Sequence, residues 1–182
     1  MKKFSRHILS IPLLVLTFAS TLRADWPMFQ LDEKHSASRP QDILRLPLVQ
    51  SWSLDTQSSV FGFASAVISD KKVYFGSIRG ELTATEWNSG AVLWKFAAQG
   101  SIYLAPAAEN TKLFFGSTDG NIYVLDSNTG KLLRKFEVGS NIFASPVVSS
   151  GTLFIAANNG DVLALKTETG EVVWRLQEYQ WS

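Results

Sequence analysis

The chain has 182 residues, enough for one domain, and a formal net charge of +1. It contains no cysteine, which excludes disulfides, thiolate chemistry and cysteine-based metal sites. When the basic residues of the first 24 positions are set aside, 13 of the 17 basic residues remain against 16 acidic ones. This mild acidity argues against nucleic acid or an anionic membrane surface as a partner.

Residues 1–24 have the pattern of a secretory signal peptide. Basic residues precede an apolar run from Ile8 to Ser20 that is too short to span a bilayer. Cleavage after Ala24 satisfies the small-residue rule only in part, because Leu22 lies three residues before the cut, and an uncleaved anchor is the alternative. The sequence therefore predicts an exported protein, periplasmic or secreted, from a bacterium.

Two segments follow the signal peptide. Residues 25–47 hold prolines, charges and turn-formers without a clear period and are interpreted as an irregular extension. From Leu48 onward, short apolar runs alternate with Gly, Asn, Asp and Ser clusters, which is typical of strands joined by tight turns. The stretch Leu48–Leu54, with Trp52 inside it, is predicted as an orphan outer strand that precedes any complete sheet.

The main pattern is a repeat of 40 residues. Two sets of glycines recur at this spacing, namely Gly80, Gly120 and Gly160, and Gly90, Gly130 and Gly170. A fixed period near this length marks units that must stack to bury their apolar faces. Residues 48–182 are therefore predicted to contain three blades of a β-propeller, at about 58–97, 98–137 and 138–177.

Each repeat accommodates four short strands, which is the content of one antiparallel propeller blade. In the first repeat the strands are placed at Ala64–Ile68, Val73–Ser77, Leu82–Thr85 and Val92–Phe96, with equivalents 40 and 80 residues later. Pro106 and Pro146 fall in the first strand, which predicts an inner edge because proline has no ladder donor.

The fourth strand alternates bulk and charge and is predicted to be outermost. Its large side chains are expected to pack between neighbouring blades, and its cations are expected to face solvent and protect the strand edge. The large residues are Trp94, Phe96, Arg134, Phe136, Trp174 and Leu176, and the cations are Lys95, Lys135 and Arg175.

The turn before the fourth strand carries a family resemblance. The segments Ala84–Trp94, Val124–Arg134 and Ala164–Trp174 resemble the tryptophan-docking motif of the pyrroloquinoline-quinone-like (PQQ-like) β-propeller repeat family. Asp126, Thr129 and Gly130 match its Asp-x-x-Thr-Gly core, and Thr169 and Gly170 match in the third repeat. Glu86 and Lys166 depart from it at the Asp position, and Arg134 departs at the Trp position.

The resemblance implies a fold more specifically than a function, because the repeat serves quinone enzymes and outer-membrane assembly factors alike. The enzymes hold PQQ and Ca²⁺ over a closed ring with a catalytic aspartate and often a disulfide. Here no cysteine is present and no calcium-ligand spacing is evident, so neither PQQ nor Ca²⁺ is expected.

Few side chains suggest chemistry. His35 is the one histidine beyond the signal peptide and lies in the irregular extension, so no serine–histidine or two-histidine site can form. Asp119 and Asp161 lie beside hairpin glycines, and turn chemistry explains them better than metal binding does. Trp87 falls in a turn and is the candidate for a binding contact. We therefore predict no catalytic, cofactor or metal site.

Three blades are too few for a closed propeller, because common propellers have four to eight. The expectation is a partial propeller whose remaining blades come from another polypeptide, from a second copy, or were lost by truncation. The function favoured is a non-catalytic exported scaffold that binds protein. The alternatives are a fragment or subunit of a quinoprotein dehydrogenase and a truncated remnant without activity.

Overall fold

The computed structural model describes residue 27, residues 50–56 and residues 66–177. The predicted signal peptide lies outside these residues, as does the extension except for Pro27, whose carbonyl accepts a hydrogen bond from Ala108 N at 2.7 Å. The described residues contain no helix long and apolar enough to cross a membrane.

Residues 66–177 form three four-stranded antiparallel sheets, as the repeat predicts. In each sheet the strands are paired in chain order, so that the first and fourth are edges. The strands are β1 Val67–Ser69, β2 Lys72–Gly76, β3 Glu81–Glu86 and β4 Val92–Ala97; β5 Ala107–Glu109, β6 Lys112–Gly116, β7 Asn121–Asp126 and β8 Leu132–Glu137; and β9 Val147–Ser149, β10 Thr152–Ala156, β11 Asp161–Lys166 and β12 Val172–Gln177. These three blades confirm the predicted fold class, an all-β partial propeller.

The inner strand is shorter than the sequence suggested. Pro106 and Pro146 lie immediately before β5 and β9 rather than inside them, so the predicted start of the first strand is wrong by about three residues. Both prolines are buried. The conclusion drawn from them still holds, because β1, β5 and β9 are edge strands.

Both sets of repeat glycines occupy the turns predicted for them. Gly80, Gly120 and Gly160 have φ of 79°, 83° and 85° between the second and third strands. Gly90, Gly130 and Gly170 have φ of 70°, 70° and 74° between the third and fourth. A positive φ is a conformation that glycine adopts without steric cost, which explains its recurrence at these positions.

The core consists of two layers, one on each side of the middle blade. Leu113 and Phe115 of β6 face the first blade, where they meet Tyr74 and Leu82. Phe114, between them in sequence, faces the third blade. Successive side chains of a strand point to opposite faces, so the central strands of the middle blade are apolar on both sides.

Every outer strand contains a β-bulge at the same place. In the first blade Thr85 pairs with Val92 and Ala84 pairs with Trp94, which leaves Leu93 as the extra residue. The second and third blades repeat this register shift at Leu133 and Val173. A bulge bends a strand and changes the direction of its side chains, so it determines which side chains the outer strand exposes.

We predict that the turn at Gly130 depends on glycine for more than its positive φ. A Cβ at Gly130 would lie 2.6 Å from the Trp94 ring, whereas a Cβ at Gly139, which also has positive φ, would meet nothing within 4 Å. Gly139→Ala should cost about 1–2 kcal/mol in the free energy of unfolding. Gly130→Ala should cost about 1–3 kcal/mol more, because the ring must move.

Urea unfolding of the two variants beside the wild type measures this difference. Equal losses of stability would contradict the packing argument and leave only the backbone conformation as the cause.

Candidate protein-binding surface

Adjacent blades are joined by an aromatic ring that lies on a glycine turn. The Trp94 ring of β4 covers Gly130 in the second blade, where an added Cβ would come within 2.6 Å of the indole. Its Nε1 donates a hydrogen bond to the Ser127 carbonyl at 3.1 Å. Because the turn has no side chain at this point, the ring can lie directly against the backbone. We call this arrangement a docking joint.

A second docking joint holds the N-terminal segment on the first blade. The Trp52 ring covers Gly90, and its Nε1 donates to the Trp87 carbonyl at 2.8 Å. Trp52, Leu54 and Thr56 are half-buried while the residues between them are exposed. The described part of the predicted orphan strand, residues 50–54, therefore lies with one face on the blade, and it forms no ladder with a described strand.

The third docking joint uses a different residue from the one that the sequence suggested. Arg134 was expected to cover the apolar surface with its stem, but it is exposed, and the Phe136 ring covers Gly170 instead. Leu163 stands where the second blade has Tyr123, which packs against Phe96, the equivalent of Phe136. A smaller neighbour in the third blade leaves room for Phe136 to reach the glycine.

The turn under each joint is fixed by hydrogen bonds, and two of the three use a carboxylate. Asp126 Oδ1 accepts from the backbone N–H of Asn128 and Thr129 and from the Thr129 hydroxyl, at 2.8–3.1 Å. The Thr129 hydroxyl and then its N–H hold the pKa of Asp126 below its ordinary value.

In the first blade, Glu86 accepts the equivalent bonds from Asn88 and Ser89. The Ser89 hydroxyl is the main cause of its lowered pKa. The third turn keeps its backbone bond, Gly170 N to Lys166 O at 2.8 Å, without a carboxylate, and Lys166 pairs with Glu171 instead.

The outer edge exposes the same apolar pair in every blade. The pairs are Val92–Leu93, Leu132–Leu133 and Val172–Val173, and their side chains are 43–52% exposed. Each pair lies at the β-bulge, 40 residues from the next. We call them the rim pairs. Their exposure does not depend on the neighbouring blade, because the first, second and third blades show it alike.

The third blade also exposes the face on which a further blade would pack. Trp174 is 44% and Leu176 is 63% exposed, whereas their equivalents Trp94 and Phe96 are half-buried against the second blade. The Phe154 ring lies beside Trp174 with centroids 6.0 Å apart, as Tyr74 lies beside Trp94 at 5.9 Å. The first half of a docking joint is thus present in the third blade.

All three strand cations expected in solvent are exposed, and the one with a fully buried partner is Arg175. Its guanidinium binds the carboxylate of Asp161, whose side chain is fully buried, and this lowers the pKa of Asp161. Lys95 instead pairs with half-buried Glu81 at 2.7 Å, and Lys135 Nζ lies 5.9 Å from the Tyr123 ring centroid.

Asp119 contributes to its turn, accepting from Asn121 N at 3.0 Å, and it also binds the Tyr123 hydroxyl at 2.6 Å. Burial and then this bond raise the pKa of Tyr123 to about 12. Burial raises the pKa of Asp119, but the bonds from Tyr123 and Asn121 outweigh it and the net shift is downward. Both groups are thus held in structural bonds.

The part of the chain that the structure describes contains no cluster of three His, Asp or Glu residues that could hold a metal ion. His35 lies outside the described residues. Trp87, the candidate contact, is half-buried, and its indole N–H is buried without an acceptor among the described residues. Only part of its ring can reach a partner, and its role as a contact stays a prediction.

The sequence matches the profile of the family described as outer membrane protein assembly factor BamB, over residues 49–133 and 89–181. A comparison with curated proteins gives no significant match. Several solved structures share the fold at low identity.

BamB from Moraxella catarrhalis is 24% identical with a TM-score of 0.61, over 70% of this chain and 39% of that one. The quinohemoprotein alcohol dehydrogenase of Comamonas testosteroni is 22% identical with a TM-score of 0.69, over 84% and 27%. The computationally designed Ika4 protein is 18% identical with a TM-score of 0.64, over 74% and 82%. The chain thus spans about two fifths or less of these two natural proteins.

The lowered pKa of Asp126 predicts that acid reduces the stability that the turn under the Trp94 docking joint contributes. The unfolded chain takes up the proton first as the pH falls, so the stabilisation is complete above the ordinary pKa and is lost as the pH falls through the folded value. Asp126→Asn should therefore be less stable than the wild type at pH 7 and should lose less stability on acidification.

Urea unfolding of both proteins between pH 7 and pH 3 measures this. Lys166→Asp provides the reverse test, because it supplies the third turn with the missing carboxylate and should steepen the pH dependence. Identical pH dependence in the wild type and Asp126→Asn would contradict the assignment.

Proposed function

Because the chain belongs to the PQQ-like β-propeller repeat family, whose matching profile is described as an outer membrane protein assembly factor, we propose that it is an exported, non-catalytic scaffold that binds protein. The observation that carries this proposal is the set of rim pairs. Apolar side chains that are exposed at the same position of three successive blades form a repeated contact surface.

The geometry of the outer strands supports the mode of binding. β4, β8 and β12 are edge strands, so their outward N–H and C=O groups are open to an added strand. The bulge interrupts the ladder at each rim pair and turns both apolar side chains outward. Lys95 and Lys135, farther along the strands, limit unspecific pairing of the edges. A partner that contributes an extended segment with apolar side chains fits this surface.

The partner class follows from the family. We propose that the partner is a protein of outer-membrane assembly, reached in the periplasm after export. Three equivalent rim pairs allow one partner to engage more than one blade, and linked contacts of this kind strengthen one another without any single strong contact.

We predict that the triple variant Leu93→Lys, Leu133→Lys and Val173→Lys loses binding while it keeps its fold. Placing a charge at an apolar contact leaves it desolvated in the complex, so affinity should fall at least about tenfold. The matched control is Ala97→Lys, Glu137→Lys and Gln177→Lys, at three exposed positions at the other end of the same strands.

Two measurements test the prediction in a bacterium that lacks the chromosomal copy. A photo-crosslinking residue at position 93, 133 or 173 should yield an adduct with an envelope protein, and one at 97, 137 or 177 should not. The wild type and the control variant should restore the level of outer-membrane proteins, and the rim variant should not. Full restoration by the rim variant would overturn the proposal.

A quinoprotein dehydrogenase fragment is the second candidate, because the alcohol dehydrogenase of Comamonas testosteroni shares the fold over 84% of this chain. We expect no saturable binding when PQQ and Ca²⁺ are added to the purified protein, and no reduction of an electron-accepting dye when an alcohol follows. Calcium needs six to eight oxygen ligands, and the described residues offer no carboxylate cluster. Saturable quinone binding with dye reduction would replace the scaffold proposal.

A further inference from the structure

The outer strand of the middle blade is the most basic of the three outer strands. Residues 131–137 read Lys-Leu-Leu-Arg-Lys-Phe-Glu and carry a net charge of +2, from three cations and one acid. The equivalent residues 91–97 carry +1 from Lys95 alone, and residues 171–177 carry no net charge, because one acid offsets one cation. The excess of positive charge therefore lies beside a single rim pair, Leu132–Leu133.

The middle blade lacks the carboxylate that neutralises the strand cation in its two neighbours. In the first blade Glu81 pairs with Lys95 at 2.7 Å, and in the third blade Asp161 pairs with Arg175. The second blade has Asn121 at the corresponding position of the repeat. An amide carries no charge, so the cation of the middle strand has no equivalent partner.

The two cations that follow the rim pair lie on opposite faces of the sheet. Lys135 is in register with Tyr123, on the face toward the first blade, and Arg134 therefore lies on the other face. Both side chains are exposed, and neither forms an ion pair within the described blades. Arg134 influences Glu168 electrostatically, but Lys112 holds that carboxylate. Both cations can thus still pair with a partner's carboxylates.

The backbone of β8 is open on the side away from β7. β8 pairs with β7 alone, and residues 132–137 make no backbone–backbone hydrogen bond outside that ladder with any described residue. The first and third blades cover the two faces of the middle blade. Its outer edge is therefore the side on which an added strand can pair.

We propose that an acidic extended segment of the partner protein pairs with β8 as a fifth strand of the middle blade. Its apolar side chains contact Leu132–Leu133, and two adjacent carboxylates pair with Arg134 and Lys135. This inference rests on the proposed scaffold function and specifies the chemistry of its partner. Successive side chains of a strand point to opposite faces, so two neighbouring acidic residues reach one cation each. Opposite charges that face each other across two strands stabilise their pairing.

The same charges disfavour a second copy of this chain as the occupant. Pairing β8 with another β8 would bring cations together, and charged side chains on an edge strand oppose such edge-to-edge pairing. β4 would add Lys95 to these cations, and none of the three outer strands contains two adjacent acidic residues. The cations beside Leu132–Leu133 therefore select an acidic strand and reject an edge strand of the same protein.

Charge reversal tests the inference in the same bacterium, with the photo-crosslinking residue at position 133. Arg134→Glu with Lys135→Glu should lower the yield of the adduct at least about tenfold, because two attractive pairs become repulsive. The matched control is Lys71→Glu with Arg79→Glu, which makes the same change in net charge at two exposed turn positions of the first blade. The control should leave the yield unchanged.

The partner's own sequence supplies the reciprocal test. The crosslinked peptide, identified by mass spectrometry, should contain two adjacent acidic residues beside apolar ones. Changing these two acids to lysine should restore the adduct with Arg134→Glu and Lys135→Glu. A peptide without such residues, a yield that the reversal does not change, or a failure of this restoration would overturn the inference and leave the scaffold proposal standing. Absence of any adduct at positions 93, 133 and 173 would overturn both.

Two further measurements separate this explanation from others. The neutral variant Arg134→Gln with Lys135→Gln should give an intermediate yield, and it replaces the charge reversal if urea unfolding shows that the reversal disturbs the fold. The purified wild type should not sediment with phosphatidylglycerol vesicles. Sedimentation with these vesicles that Arg134→Glu and Lys135→Glu abolish would assign the cations to an anionic membrane surface and overturn the proposal.

Discussion

The structure depends on the contact between an aromatic ring and a glycine turn. The turn needs a positive φ to reverse the chain between the third and fourth strands, and the ring needs a stretch of backbone without a side chain. A single residue meets both requirements, and Gly90, Gly130 and Gly170 do so in three successive blades. A side chain at any of these positions would strain the turn and displace the ring together, so the hairpin and the stacking of blades are coupled.

The docking joint requires an aromatic ring in contact with the glycine, but it does not require that the ring belong to tryptophan. Trp52 and Trp94 both reach a backbone carbonyl with the indole N–H, whereas Phe136 has no polar group to offer. The three rings also come from different places in the repeat. Trp94 lies 36 residues before its glycine, Trp52 lies 38 before and Phe136 lies 34 before. Any flat aromatic side chain that reaches the backbone over the glycine can make this contact. It comes from whichever position of the preceding strand lies close enough.

This freedom explains how far the sequence could predict the structure. The 40-residue period, the strand order and both turn glycines were predictable, because each follows from local backbone requirements that repeat in register. The joints made by Trp52 and Phe136 were not, because each ring is two residues out of that register. The bond between Arg175 and Asp161 was not predictable either. The alternation along β12 indicates the face of the sheet on which a side chain begins, but the long stem of an arginine can turn back and bring its guanidinium to a buried carboxylate.

The exposed apolar surfaces have two different physical origins, and this difference separates their roles. The rim pairs are exposed because a bulge turns them away from the blade, and they remain so in the middle blade, which is covered on both faces. Trp174 and Leu176 are exposed where no described blade lies in front of the third one, whereas the equivalent Trp94 and Phe96 are half-buried against the second blade. A partner on the rim leaves the blade faces untouched, and a blade docked on Trp174 leaves the rim untouched. Binding at the rim pairs can therefore occur together with binding at the face that carries Trp174 and Leu176.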